Sequence, residues 1–257
     1  MTLLLGLFIL GHLLADFVFQ SDKSCVKKLD FHYKTRLKAH LAHLAVYKGI
    51  SLVLLLVTGI LTLPTFLGLM ALTGVHGAVD WLKAALHKKV KALPLFLTDQ
   101  AFHFLTIVLT VWVLEPNLPN QFSSLAQQVL AGGALAPLNL VNKLTIVGIV
   151  IILATAGGNV IIREILTALN IRMSFKVSED EKDMRTGRYI GGVERILTLI
   201  AVVAGSYEGV IALYASKTAI RFKHASASPE FEEYYILGTL LSALLGISCG
   251  ILLKLIL

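Results

Sequence analysis

The stretch TLLLGLFILGHLLADFVFQ, residues 2–20, has no basic residue before its apolar run and a single formal charge, Asp16. A cleaved leader would open on basic residues and close on a small-x-small site. Neither is present, so the stretch reads as a retained membrane span that carries His12 and Asp16. Comparable apolar runs follow at 40–62, 65–82, 94–114, 142–163, 190–204, 208–222 and 234–256. The runs 190–204 and 208–222 are short and split at Gly205-Ser206, so one long kinked helix is an alternative for them.

Composition agrees with these runs. The chain has 257 residues, of which 56% are hydrophobic and 15% charged, and its mean hydropathy is +0.78. A soluble domain carries about 25% charged residues. So large an apolar excess cannot be hidden in one core, which excludes disorder, collagen-like repeats and a disulfide scaffold. Cys25 lies in a loop and Cys249 in the last apolar run, which does not suggest a bridge. The expected fold is an all-α, polytopic transmembrane bundle of about eight spans. Residues 1–114 would form a four-helix core rich in His and Asp, 115–141 an extracytoplasmic loop, and 142–257 the C-terminal membrane helices with a cytoplasmic loop at 164–189.

Basic residues are distributed unevenly. Loops 21–39, 83–93, 163–189 and 217–233 hold six, four, six and three Lys or Arg, nineteen of the 23 in the chain, whereas 115–141 holds none. The positive-inside rule places the basic loops in the cytoplasm and both termini outside, across a prokaryotic inner membrane. The net charge of +7 is thus mainly a topology signal. Nucleic acid is not an expected partner, because no aromatic-basic platform accompanies the charge. Anionic inner-leaflet headgroups are the expected partners, and a homo-oligomer is left open. Within loop 21–39, Val26, Leu29, Tyr33 and Leu37 share a helical stripe with lysines between them. This suits a short interfacial helix on anionic lipid, or simply marks the inner side.

The polar residues inside the spans carry the chemistry. His12 and Asp16, His76 and Asp80, and Asp99 and His103 are each four residues apart, so each pair shares a helix face. The first and third spans run inward and read His-then-Asp, while the fourth runs outward and reads Asp-then-His. At 1.5 Å per residue, all three put Asp about 3–8 Å and His about 9–13 Å below the cytoplasmic surface. His40 and His43 enter at a similar level, the spacing of three turning His43 toward a neighbouring helix. The match of GHLLADF (11–17) to VHGAVDW (75–81) suggests two parallel hairpins related by a pseudo-twofold along the membrane normal.

An intramembrane aspartate costs about 2.5–3.5 kcal/mol on insertion scales, so three at one depth call for a compensating partner. Imidazole with carboxylate, and no sulfur, suits a divalent metal, with zinc favoured over manganese or iron. His12, His40, His43, His76, Asp80 and His103 are the expected metal ligands, in a mono- or binuclear centre. Asp16 and Asp99 are the candidate general bases. Interhelical hydrogen bonding and a proton relay are the alternatives. In the C-terminal half, Arg195, Lys217 and Arg221 lie near cytoplasmic helix ends and could contact an anionic headgroup, although Arg163-Glu164 and Glu194-Arg195 could equally neutralise one another.

GHLLADFVFQ (11–20), His40, His76, Asp80 and Asp99-Gln100-x-x-His103 together resemble a prokaryotic membrane family, domain of unknown function 3307. The segment Tyr189-Ile190-Gly191-Gly192-Val193-Glu194-Arg195, with Lys217, Arg221-Phe222 and Gly238-Thr239-x-x-Ser242, is similar to its longer members. The resemblance implies the membrane fold but no activity. A looser likeness is to membrane-bound metal-dependent hydrolases, none of whose motifs is complete here. The HxxxD pairs are similar to zinc-binding pairs of cation diffusion facilitators, which usually carry a soluble metal domain after their spans, whereas Leu257 ends this chain in an apolar run.

The expected function is metal-dependent hydrolysis of a lipidic or headgroup-bearing substrate. The alternatives are a divalent-cation transporter and a structural or assembly subunit. The topology is tested by single cysteines placed at Asn120 or Lys88 in a chain lacking Cys25 and Cys249. An impermeant thiol reagent added outside should modify the first and not the second. The reverse pattern would put the His/Asp layer on the opposite face.

Overall fold

The computed structural model describes residues 2–120, 123, 127, 139–171, 180–225 and 229–256. The side chains of residues 180–185, 220–225 and 229–231, and most of the predicted loop 115–141, lie outside that description. All regular structure among the described residues is helical.

Helix α1, Leu3–Leu13, starts where the Thr2 side chain accepts the Leu5 N–H at 3.2 Å, and it passes directly into a π-helical turn, Leu14–Val18. After a bend of 92° the chain forms α2, Asp22–Lys28, capped by Ser21. Helices α3 (Tyr33–Val57), α4 (Leu63–Leu86) and α5 (Ala92–Leu114) follow. Thr62 and Thr65 cap the start of α4 reciprocally, and Pro64 occupies a position where a missing N–H costs nothing. Next come α6 (Leu140–Ile152), a second π turn (Leu153–Gly157) and α7 (Gly158–Ala168). Helices α8 (Asp180–Val203), α9 (Tyr207–Ala225) and α10 (Pro229–Ile256) complete the chain.

Five stretches are long and apolar enough to cross a membrane: Tyr33–Val57, Leu63–Leu86, Ala92–Leu114, Leu140–Ala168 and Glu232–Ile256. Counting the bent pair α1–α2 as one span makes six. These mark a membrane protein, with fewer such helices among the described residues than the eight expected. Helices α8 and α9 occupy the places of the sixth and seventh spans, but charge dilutes them: Arg188, Glu194 and Arg195 in one, Glu208, Lys217 and Arg221 in the other. They are two helices rather than one kinked helix, because Gly205 between them takes a left-handed φ of 74° that a side chain would strain. The stripe expected over 21–39 is likewise divided, with Val26 at the exposed side of α2 and Tyr33 opening α3.

The chain packs as two units, Met1–Ile149 and Val150–Leu257. In the first, α1 lies against α3 and α5, α3 against α4, α4 against α5, and α2 against α3. Their shared interior is a dry plug that includes Leu5, Phe8, Leu55, Leu69, Ile107 and Val111, each at most 3% exposed. Outward-facing residues are equally apolar. Phe102, Leu109 and Val113 of α5 are 54%, 44% and 79% exposed, as a lipid-facing surface requires. In the second unit α8 is central, packing on α9, α10 and the π turn.

Close approach of α8 and α10 depends on Gly246 and Gly250. A Cβ at Gly246 would lie 3.1 Å from Thr198 Cβ, and one at Gly250 would lie 2.7 Å from Val202 Cβ and 3.3 Å from Leu199 Cα. Small residues four apart let helices meet closely in lipid. Gly250→Ala should therefore destabilise the protein by about 1–3 kcal/mol. Adding Val202→Ala, which removes the nearest atoms, should restore part of the loss. Thermal melts in detergent read both, and additive losses in the double variant would refute the contact.

Candidate metal centre

The polar layer of the N-terminal unit sits between the apolar plug and α2. Each helix brings its ligands by its own spacing. On α3 the buried face runs through His40, His43, Tyr47, Ser51 and Leu55. On α4 it runs through Leu69, Leu72, His76, Asp80 and Ala84, and on α5 through Phe96, Asp99, His103, Ile107 and Val111. The chemistry thus interrupts a core stripe of about four-residue period instead of occupying a separate face.

His12 and Asp16 reach the layer differently. Asp16 lies in the π turn, whose wider coil departs from the α path. His76 and Asp80, their counterparts in the sequence match, stay on regular α-helix. Asp16 Oδ1 stands 3.2 Å from His43 Nε2 and 3.6 Å from His76 Nε2. Asp80 Oδ2 stands 3.6 Å and 3.9 Å from the same two nitrogens, which are 2.9 Å apart. Four atoms from four residues thus show five mutual separations of 2.9–3.9 Å. A tetrahedron of ligands at 2.0–2.1 Å from a metal has edges of about 3.3–3.4 Å. Asp16, His43 and His76 would form one face of a cage of that size, with Asp80 beside it but outside their group.

Asp80 also faces the other way. Its Oδ1 is 3.5 Å from His103 Nε2, which lies 3.4 Å from Asp99 Oδ1. Asp80, Asp99 and His103 form one group able to hold a cation, Asp16, His43 and His76 a second, and His12, His76 and His103 a third, the ligand atoms of each within 4.8 Å. One carboxylate with an oxygen toward each of two ligand sets is the arrangement that bridges two metals.

Hydrogen bonds fix several orientations. The Gln100 amide donates to Asp99 Oδ2 at 3.0 Å, so its carbonyl oxygen faces His12 Nε2 at 3.3 Å and accepts from it. This leaves His12 Nδ1 without a proton, turned toward Asp16 Oδ1 at 3.8 Å. The His76 ring stacks on Tyr47, with centroids 4.6 Å apart and planes within 10°. Yet His12 Nδ1, Asp16 Oδ1, Asp99 Oδ1 and His103 Nε2 are all buried without a hydrogen-bond partner. Folded proteins satisfy nearly all such atoms. Four orphaned lone-pair atoms in one layer therefore fit a bound cation.

Two lysines face the carboxylates. Lys28 Nζ, on the buried side of α2, donates to Asp80 Oδ2 at 2.5 Å, and Lys83 Nζ donates to Asp99 Oδ2 at 2.7 Å. Neither was singled out in the sequence beyond its place in a basic loop. Lys83 lies three residues after Asp80 on α4, a spacing that puts both near one face. Lys28 carried no such signal, because α2 reaches the layer only through the 92° bend. His40, expected among the ligands, belongs to none of these groups. Its Nδ1 donates to the Arg36 carbonyl at 2.9 Å and its ring packs on Trp81, whereas His43 turns into the cage.

In the C-terminal unit, Arg195 is fully buried and gives four of its five N–H groups to protein acceptors. These are the Ala154 and Thr155 carbonyls, Asn159 Oδ1 and Ser242 Oγ. Both carbonyls come from the π turn, where the i→i−5 pattern leaves oxygens unpaired. Glu194 does not pair with its neighbour but with Lys217, at 2.6 Å. Arg163 and Glu164 do pair with each other, at 3.2 Å and exposed. The Arg221 side chain lies outside the described residues.

Residues 4–129 match the family described as Protein of unknown function (DUF3307). That segment of the chain is similar to the family. Every residue of the His/Asp layer falls inside the matched segment, whereas Arg195 and its acceptors fall outside it. No curated protein and no solved structure matches the chain.

An ammonium seated on Asp80 must be displaced before a cation can use that oxygen. Lys28→Met keeps most of the stem and removes the charge, so it should tighten divalent-cation binding about tenfold or more. Isothermal titration of the metal-stripped protein with zinc measures this. Weaker binding in the variant would mean that Lys28 supports the site instead of competing for it.

Proposed function

We propose that the protein is an inner-membrane, metal-dependent hydrolase acting on a lipidic or headgroup-bearing substrate that enters from the cytoplasmic leaflet. The observation that carries the metal is the group of Asp16, His43 and His76, whose ligand atoms stand 2.9–3.6 Å apart, as for a first-row divalent ion. Zinc is favoured because the donors are imidazole nitrogen and carboxylate oxygen. Asp99 and His103, with Asp80, would hold a second ion in this reading.

A bound metal would polarise the scissile group and lower the pKa of a coordinated water. The chain's own part is positioning. Asp16 and Asp80 supply the negative charge, and Tyr47 and Gln100 fix the His76 and His12 rings. Asp99 is the candidate general base, its Oδ2 anchored by Lys83 and Gln100 and its Oδ1 left without a partner. Lys28, with the lysines of α2 around it, stands where an anionic headgroup would arrive. Arg195 and Lys217 are held by protein acceptors, so the C-terminal unit takes a structural part in this reading. Basic loops on the inner side and both termini outside complete the proposed topology.

One observation bears on the transporter alternative. Among the described residues the layer is backed by Leu5, Phe8, Leu55, Leu69, Ile107 and Val111, with Ser51 a buried polar side chain on the same face of α3. A mostly apolar backing favours chemistry in place over passage through.

Metal content of the purified, detergent-solubilised protein tests the proposal. The wild type should carry one to two equivalents of a divalent metal, and Asp80→Asn and His76→Gln should each lose more than half of it while melting within a few degrees of the parent. His40→Gln should retain metal. Unchanged content in Asp80→Asn and His76→Gln would remove both residues from the ligand set and the hydrolase reading with them.

A further inference from the structure

A second polar cluster lies one helical turn from the cage, on the α2 side of the layer. Arg36 and His40 are four residues apart near the start of α3, and both rest on Trp81 of α4. The Arg36 guanidinium carbon is 4.5 Å from the Trp81 centroid and 6.0 Å from that of Tyr33, and the His40 ring is 4.9 Å from Trp81. Both side chains have polar atoms buried without a hydrogen-bond partner, Arg36 Nε and His40 Nε2. His40 is only 3% exposed. Among the described residues no carboxylate pairs with Arg36.

Because a carbonyl can only accept, His40 Nδ1 carries the proton it gives to Arg36 O, and Nε2 is left for a ligand. A cation is a poor one, since the guanidinium one turn away would repel it. An oxyanion suits both groups. Arg36 offers its planar donor fork, and His40 Nε2 can meet either an anionic oxygen, as imidazolium, or a phosphate hydroxyl, as neutral ring. Tyr33 and Trp81 are the amphipathic rings found at headgroup level, and Lys34 and Lys38 stand exposed on the same turns of α3.

We propose that Arg36 and His40, packed on Trp81, form a phosphate-binding subsite beside the metal centre. The substrate would then be a phosphate-bearing molecule. This rests on the hydrolase reading for its role, but the binding itself does not require metal. Trp81 directly precedes no ligand but follows Asp80 in the chain, so occupation of the subsite would hold a phosphorylated headgroup against the helix that carries the bridging carboxylate.

The chain has two tryptophans, Trp81 and Trp112. In a full-length Trp112→Phe background, Trp81 fluorescence reports on the subsite alone. The protein in detergent with EDTA is titrated with dioctanoyl phosphatidic acid, inorganic phosphate and, as a phosphate-free control, dioctanoylglycerol. Phosphatidic acid should give a saturable change that dioctanoylglycerol does not. Arg36→Gln and His40→Gln should each weaken it, Arg36→Gln by about tenfold or more, as expected for loss of a charge-assisted hydrogen bond. Arg36→Lys, which keeps the charge and loses the fork, should fall between and carries the test if Arg36→Gln does not fold. Saturation by inorganic phosphate, equally sensitive to these changes, would support the subsite and identify its source as free phosphate. No saturable response to either anion, or equal affinity in all variants, would overturn it. Because metal is absent throughout, this outcome is independent of the metal contents measured for Asp80→Asn and His76→Gln.

Discussion

Three carboxylates buried among apolar helices, Asp16, Asp80 and Asp99, are the constraint on which the N-terminal unit turns. An uncompensated charge in such surroundings is too costly to keep. Compensation comes from imidazoles of three helices, His12, His43 or His76, and His103, and from the ammonium groups of Lys28 and Lys83. The contacts of His43 and His76 with Asp16, of Lys28 with Asp80 and of Lys83 with Asp99 join different helices, whereas His12 with Asp16 and His103 with Asp99 are one turn apart in the chain. The layer therefore fixes the angles at which α1, α3, α4 and α5 meet, and the apolar plug fills whatever space those angles leave. It also explains α2, a short, mostly exposed helix held down at its end by Lys28 on Asp80.

The same logic accounts for the two π turns. A regular α-helix satisfies all interior carbonyls and gives none away. At Leu14–Val18 the wider coil alters where Asp16 points, and at Leu153–Gly157 it releases the carbonyls that Arg195 takes. Both irregularities coincide with a buried charge, one negative and one positive. Backbone that departs from α within a membrane-length helix is tolerated where protein groups re-satisfy it. Here the freed groups are themselves the means of burying the charge.

How much of this was legible in the sequence depends on the kind of signal. The pairs at i and i+4 specified a face and a depth, and His12, Asp16, His76, Asp80, Asp99 and His103 do lie together. The pair His40 and His43 did not specify which would point inward, since both positions fit one broad face. The decisive pattern was His43, Tyr47, Ser51 and Leu55, four residues apart and all buried, a stripe to which His40 stands one turn offset toward Trp81. Hydropathy led to eight expected spans where five or six helices among the described residues are long and apolar enough, because the short apolar runs in α8 and α9 continue into charged turns of the same helices. Lys28 was illegible for a physical reason: its contact with Asp80 spans 52 residues and exists only because the chain bends between Val18 and Asp22.

Metal binding and packing make different demands on this layer, and the orphaned atoms distinguish them. A hydrogen-bonded packing cluster alternates donors and acceptors until each is used. Here Asp16 Oδ1 and Asp99 Oδ1 are acceptors without a well-formed hydrogen bond, the nearest imidazole nitrogens standing 3.2 Å and 3.4 Å away, and His12 Nδ1 is left an acceptor by the Gln100 contact. An excess of lone pairs over protons is a cost to packing but the requirement for a cation. Lys28 and Lys83 relieve part of that excess, each reaching a different oxygen of Asp80 or Asp99 from the one left toward His103. What the lysines leave uncovered is the pair of oxygens that, with His103, forms a group able to hold a small cation where an ammonium on a side chain does not reach.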